Sequence, residues 1–254
     1  MTSLLWIVLG AASIGLSLGL LGSGGSILTV PILTYLLGMP EKTAVASSLA
    51  IVGGISLIGA LPLLRRGLVE GRALLAFGPP SMLGTVAGAW LAQRLPEGSQ
   101  LLIFAPVMLV AAWRMASGGA ASVQGPRKSA WAIALAGIGV GLLTGLVGIG
   151  GGFLIVPALV LLLGLPMPRA VATSLLLIVL NSAVGFGKYL MADSGQLQLD
   201  ATVIGLFIAI GGAASMLGGR LGTRVPQALL RRIFAVVLVL VAVSILLSKF
   251  VSFA

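Results

Sequence analysis

The chain has 254 residues, of which 59% are apolar and only 8% charged. A soluble domain carries roughly 25% charged residues, so 15 Lys and Arg with 5 Asp and Glu cannot clothe a globule of this length. This excludes an ordinary soluble enzyme and a disordered chain, and indicates an all-α polytopic membrane protein.

The formal net charge is +10. The basic residues sit in short links between apolar runs, where they orient helices; no basic stripe with interleaved aromatics supports nucleic-acid binding. Cysteine and histidine are both missing, which removes disulfides, Cys/His metal sites and His general bases. No cofactor, metal or catalytic residue is assigned. The partners expected are the lipid bilayer and a small anionic substrate, and a homo-oligomer is compatible with the sequence.

The N-terminal run lacks a basic region ahead of its apolar stretch, since the first Lys or Arg is Lys42. A similar run recurs at 130–148, so it reads as a retained structural segment rather than a signal peptide. In chain order the apolar segments fall at 3–21, 26–38, 43–64, 72–93 and 99–115. After a polar, small-residue stretch they resume at 130–147, 152–164, 169–190, 201–222 and 229–250. Most have the ~20 residues that cross ~30 Å of hydrocarbon. The second and seventh reach only ~20 Å at 1.5 Å per residue, so each either tilts across or ends near the midplane.

The two halves form an internal repeat, 1–116 and 130–254, joined by a linker at 117–129. Residues 19–40 align without a gap to 145–166, and Ala44–Leu49 to Ala170–Leu175. Further on, Arg94-Leu95-Pro96 matches Arg224-Val225-Pro226. If each half holds five segments, one side receives Arg65, Arg66, Arg72, Arg114, Arg127, Lys128, Arg169, Arg220, Arg224, Arg231 and Arg232, which is 11 of the 15 basic residues. If each short segment instead continues its predecessor as one broken span, the split is 8 to 7. The positive-inside rule favours five segments per half. An odd number inverts the second repeat, places the linker in the cytoplasm and puts both termini in the periplasm.

The glycine clusters Gly22-Ser23-Gly24-Gly25-Ser26 and Gly148-Ile149-Gly150-Gly151-Gly152 precede the short segments. Glycine runs break helices, and broken backbone in hydrocarbon is tolerated only against protein or a water-filled cavity. Helix starts there offer free N–H groups to an anion. Gly24, Gly25, Ser26, Gly150, Gly151 and Gly152 are therefore candidate substrate contacts. Close helix packing is the other reading, and it accounts for Gly84, Gly88, Gly137, Gly141 and Gly145. Neither cluster is a nucleotide motif.

The doubled Gly-x-Gly-Gly-x-x-x-x-Val-Pro core, at Gly22–Pro31 and Gly148–Pro157, is followed in each half by an Ala-Val-Ala-Ser/Thr-Ser run. This pattern resembles the TauE/SafE family of sulfite and organosulfonate exporters. The resemblance covers nearly the whole chain and implies an inner-membrane permease for small sulfur-containing anions.

Ser47 and Ser48 match Thr173 and Ser174, and Ser56 matches Ser182, with Asn181 beside it. Hydroxyls and amides can coordinate sulfonate oxygens in a dry site, or bond between helices and back to the preceding turn. Lys188 stands near the end of its segment, placed either to snorkel or to attract anions. Trp6, Trp90, Trp113 and Trp131 fall near segment ends, as interfacial anchors do. No carboxylate lies deep in a span, so no membrane proton relay is evident. The expectation is a secondary transporter moving sulfite or a short organosulfonate outward by alternating access. An anion channel, or a permease for another small organic anion, is the alternative.

Overall fold

The computed structural model describes residues 2–21, 24–96, 99–116, 129–148, 152–192 and 197–221, with isolated positions between 236 and 246. The described residues are helical and turn structure. Helix α1 is Thr2–Leu21, followed by a 3₁₀ turn at Gly24–Leu28, the short α2 at Thr29–Pro31 and a π-helical turn at Ile32–Leu36. Then come α3 (Glu41–Arg65), α4 (Gly71–Arg94) and α5 (Ser99–Ala116). The second half has α6 (Ala130–Val147), α7 (Gly152–Leu163), α8 (Met167–Ala192) and α9 (Ala201–Leu221). These bounds match the apolar segments read from the sequence to within a few residues. The segment expected at 229–250 lies outside the described residues apart from a few positions.

Five helices among the described residues, beginning at Glu41, Gly71, Ala130, Pro168 and Ala201, are long and apolar enough to cross a membrane. The spans of α3 and α8 are the most enclosed, with 61% and 56% of their most apolar stretch inside, against 33–39% for α4, α6 and α9. A helix shielded from lipid can carry polar side chains that a lipid-facing one cannot. Accordingly α3 and α8 hold Ser47, Ser48, Ser56, Thr173, Ser174, Asn181 and Ser182, all buried. Trp6, Trp90, Trp113 and Trp131 are exposed near helix ends, and the Arg94 guanidinium stacks 3.6 Å from the Trp90 ring centre.

Small residues bring the helices together. On α4, Gly84 and Gly88 face the backbone of Ile138 and Leu142 on α6. In return, Gly141 and Gly145 of α6 face the carbonyls of Ser81 and Thr85. A β-carbon at any of these four glycines would collide with backbone, so this is the close packing expected for them. Gly15 and Gly19 of α1 meet Gly211 and Ser215 of α9 in the same way. Residue numbers rise together along both contacts, so α1 runs parallel to α9, and α4 parallel to α6.

The sequence repeat pairs α1 with α6, α4 with α9 and α3 with α8. Packing of α1 on α9, of α4 on α6 and of α3 on α8 is therefore preserved when the halves are exchanged. Along the α3–α8 contact the numbers run oppositely. Leu49 lies at Gly185, Gly53 at Ser182 and Gly59 at Leu175, so these two matched helices are antiparallel.

The short second segment doubles back along α1. Gly25 sits against Ile14, Ser17 and Leu18, whereas Ile32 reaches Gly10. It therefore does not continue α1 as one broken span. Its winding tightens and then loosens around Pro31, which lacks the N–H that a regular helix needs. The seventh segment also passes from one end to the other. Gly148, before it, packs on Val45 and Ser48 near the start of α3. Arg169, after it, pairs at 3.3 Å with Glu70 beyond the end of α3. That ion pair also places Arg169 at the same end as Arg65, Arg66 and Arg72, the grouping that the five-segment reading requires.

Candidate functional site

A common depth can be fixed across the central helices. Gly211 of α9 lies against both the Ala11 carbonyl and the Ile55 side chain, and Gly53 lies against Ser182. Around this level the buried side chains turn polar. Ser56, Asn181 and Ser182 lie within a few residues of it on α3 and α8. Thr29 falls between Gly25 and Ile32, whose contacts on α1 bracket Ala11.

Most buried polar atoms in proteins are hydrogen-bonded, and an orphan costs about 1–3 kcal/mol. Among the described residues, the hydroxyls of Thr29, Ser47, Ser56, Ser182 and Ser215 and the Asn181 Nδ2 are buried with no partner. Asn181 Oδ1 accepts from Ser81 Oγ at 2.9 Å, but the same hydroxyl also lies 2.9 Å from the Gly78 carbonyl. One hydroxyl proton serves one acceptor fully. If the amide is turned over, Nδ2 donates to Ser81 and Ser81 to Gly78, and Oδ1 becomes the orphan. In either orientation one end of the Asn181 amide stays open inside the protein.

The remaining expected residues separate into groups. Ser47 is buried and unpartnered. Ser48 donates its only proton to the Val45 and Gly148 carbonyls, at 2.7 and 2.6 Å. Ser174 donates to the Val171 carbonyl at 2.8 Å. Neither hydroxyl keeps a proton for an anion in this conformation. Thr173 Oγ1 accepts the Glu70 N–H at 3.0 Å. Gly24 opens the 3₁₀ turn, and Gly152 opens α7. Ser26 is buried. Gly25 meets the Ile14 carbonyl and the Leu18 amide, so the face its β-carbon would occupy is filled by α1. Gly150 and Gly151 lie outside the described residues. Lys188 is half-buried, and its carbonyl accepts from Gln93 Nε2 at 3.4 Å. It lies beyond Gly185, toward the end that holds Gly148.

Gly25 and Gly148 do not share a depth. Gly25 lies beyond the Ala11–Ile55 level and Gly148 before it. Counting along α1 and α3 at 1.5 Å per residue separates them by about 20 Å along the bundle. Between these two depths lie the buried polar atoms of Thr29, Ser56, Asn181 and Ser182.

Thr29 and Ser81 were not singled out from sequence, and Ser182 only as the match of Ser56. The signal available was the depth of a polar residue within an enclosed helix, which needs the packing to be known. Elsewhere, Gln100 donates to the Ala92 carbonyl and to the Tyr189 hydroxyl at 3.3 and 3.4 Å. Tyr189 donates to the Gly145 carbonyl at 3.3 Å. This network ties α5, α8 and α6 together.

The family model described as "Sulfite exporter TauE/SafE" matches residues 7–245. The chain belongs to the TauE/SafE family. A "probable membrane transporter protein" of Xylella fastidiosa (strain 9a5c) is 30% identical over 243 residues, covering 92% of this chain and 91% of that protein. The "probable membrane transporter protein YdhB" of Bacillus subtilis (strain 168) is 28% identical over 187 residues, covering 71% and 76%. A relative of the same description from Methanocaldococcus jannaschii is 28% identical over 226 residues, covering 84% of each chain. The TauE/SafE chain is thus a multi-pass membrane transporter with a small substrate, as its motifs and apolar helices imply.

Proposed function

We propose that this TauE/SafE protein is a secondary carrier that exports a small sulfur-containing oxyanion, sulfite or a short organosulfonate, across the bacterial inner membrane. The observation that carries this reading is the set of unpartnered buried polar groups, Thr29, Ser56, Asn181 and Ser182, at the level where α3 crosses α8. Such groups persist where a ligand completes their hydrogen bonds. Hydroxyl and amide N–H donors match sulfonate oxygens. Ser47, nearer the start of α3, and Thr173, whose own proton has no acceptor assigned, are secondary contacts. Gly24, Gly25, Ser26, Gly150, Gly151 and Gly152 are proposed as further contacts, and Lys188 as an entry-side charge. No enzyme chemistry is proposed, because these residues offer donors but no activated nucleophile or base.

The antiparallel contact of the matched helices α3 and α8 supports an inverted repeat. The cross-packing of α1 on α9 and α4 on α6 supports it too. Alternating access would rock the halves about the shared level. With the Arg65–Arg72 end inside the cell, both termini are periplasmic.

The test is efflux of sulfite and of methanesulfonate from proteoliposomes holding the purified chain. Saturable efflux, reduced at least tenfold by the Ser56→Ala/Ser182→Ala double substitution, is expected. Unsaturable flux with unitary conductance would indicate a channel. Saturable carboxylate flux without sulfonate flux would indicate another organic-anion permease.

A further inference from the structure

Glu70 and Asp200 occupy equivalent places in the two halves. Each directly precedes its helix, α4 or α9, and its carbonyl accepts the N–H four residues on, from Leu74 and Ile204, each at 3.0 Å. Their surroundings nevertheless differ. The Glu70 N–H donates to Thr173 Oγ1 at 3.0 Å, and its carboxylate meets Arg169 NH1 at 3.3 Å. Both partners lie on α8, in the other half. The Asp200 carboxylate instead turns to its own helix and accepts the N–H groups of Thr202 and Val203, at 2.8 and 3.1 Å. The residue matched to Thr173 is Ser47, whose buried hydroxyl has no partner. Thr43 stands where the match of Arg169 falls, with Lys42 beside it.

One end of the bundle is thus clasped between halves, while its repeat-related end carries the same parts unclasped. From this asymmetry we infer that Glu70–Thr173–Arg169 is the closed gate of the Arg65–Arg72 end, and that Ser47 is the vacant acceptor of the opposite gate. When the clasped end opens, the Asp200 backbone N–H donates to Ser47 Oγ, as Glu70 now donates to Thr173. The clasp and its counterpart are therefore made in alternation. This rests on the alternating-access reading above. It adds which residues latch each end and which end is latched in this conformation. The buried hydroxyl contact is the stronger half of the latch, because Arg169 and Glu70 are 54% and 29% exposed and exposed ion pairs are screened.

The chain has no native cysteine, so introduced thiols report without background. A Ser182→Cys reporter in oriented vesicles is labelled with a membrane-impermeant maleimide added to either side. Adding Thr173→Val removes the acceptor. Labelling from the Glu70 end should rise about fivefold, the shift expected from losing one net hydrogen bond. Ser47→Val instead removes the latch of the state in which the Glu70 end is open, so labelling from the Glu70 end should fall. In a Glu70→Cys/Thr173→Cys pair made without the reporter, oxidation should stop flux and reductant should restore it. Unchanged labelling in Thr173→Val, or full flux in the oxidised pair, would overturn the latch. Labelling needs no substrate, so an error in the substrate class leaves this readout intact, while an absence of flux in the unsubstituted chain counts against the transport reading instead.

Discussion

Replacing Asn181 with leucine separates a binding role from a structural one. In the structure one end of the amide is buried without a partner, which costs about 1–3 kcal/mol. Leucine is close in size and removes that orphan. It also removes the Ser81 contact, but Ser81 keeps the Gly78 carbonyl at 2.9 Å, so the loss there is under about 1 kcal/mol. The ligand-free protein should therefore unfold at the same temperature as the parent or higher, with a gain of up to ~2 kcal/mol. Oxyanion affinity should move the other way. A hydrogen bond to a charged group contributes about 1.5–3 kcal/mol, which at ~1.4 kcal/mol per decade is roughly 10- to 150-fold in Kd. Thermal unfolding in detergent and ligand titration of the same samples read both quantities. A variant that loses more than ~1 kcal/mol of stability yet binds as tightly as the parent would refute the reasoning and make Asn181 a packing residue.

Gly25→Ala places a β-carbon on the Ile14 carbonyl and the Leu18 amide, and should cost about 1–3 kcal/mol of stability as overpacking; an unchanged melting temperature would contradict the close approach to α1. Gly141→Ala would meet the Ser81 carbonyl, whereas nothing lies within 4 Å of a β-carbon at Gly139 on the same helix. The first should destabilise by a similar ~1–3 kcal/mol and the second should be neutral or stabilising by up to ~1 kcal/mol, read by parallel thermal denaturation. An interior negative by 100 mV favours exit of a monovalent anion by ~2.3 kcal/mol, about a 40-fold gradient at ~1.4 kcal/mol per decade. Imposing that potential on proteoliposomes should drive efflux, and flux that follows only a proton gradient would count against an uncoupled exporter.

Much of the architecture was legible because the membrane constrains sequence so strongly. Apolar runs set the helices, and glycines spaced by four residues indicate close helix packing, whose α4–α6 pairing only the fold shows. The basic links favour five segments per half over four; the structure itself shows the second segment returning along α1 and Arg169 paired with Glu70. The site was less legible. Ser47, Ser48, Thr173 and Ser174 look alike in sequence, yet only the fold shows that Ser48 donates to Gly148, Thr173 accepts from the Glu70 N–H and Ser174 donates within its own helix. Sequence spacing carries no information on how α1 and α3 are staggered, so the depths of Gly25 and Gly148 need the packing. The uneven winding of 24–36 was hidden for a related reason, since a single proline signals a lost N–H but not which helical pitch absorbs it.

The account turns on a small oxyanion held at the level of Ser56, Asn181 and Ser182. The most direct measurement is the thermal shift of the purified chain with sulfite, sulfate, thiosulfate, short sulfonates and carboxylates, beside the Asn181→Leu variant. The account predicts that sulfite or a sulfonate raises the melting temperature of the parent and that this rise shrinks sharply in the variant. A protein stabilised by none of them, or equally stabilised with leucine at 181, would contradict it.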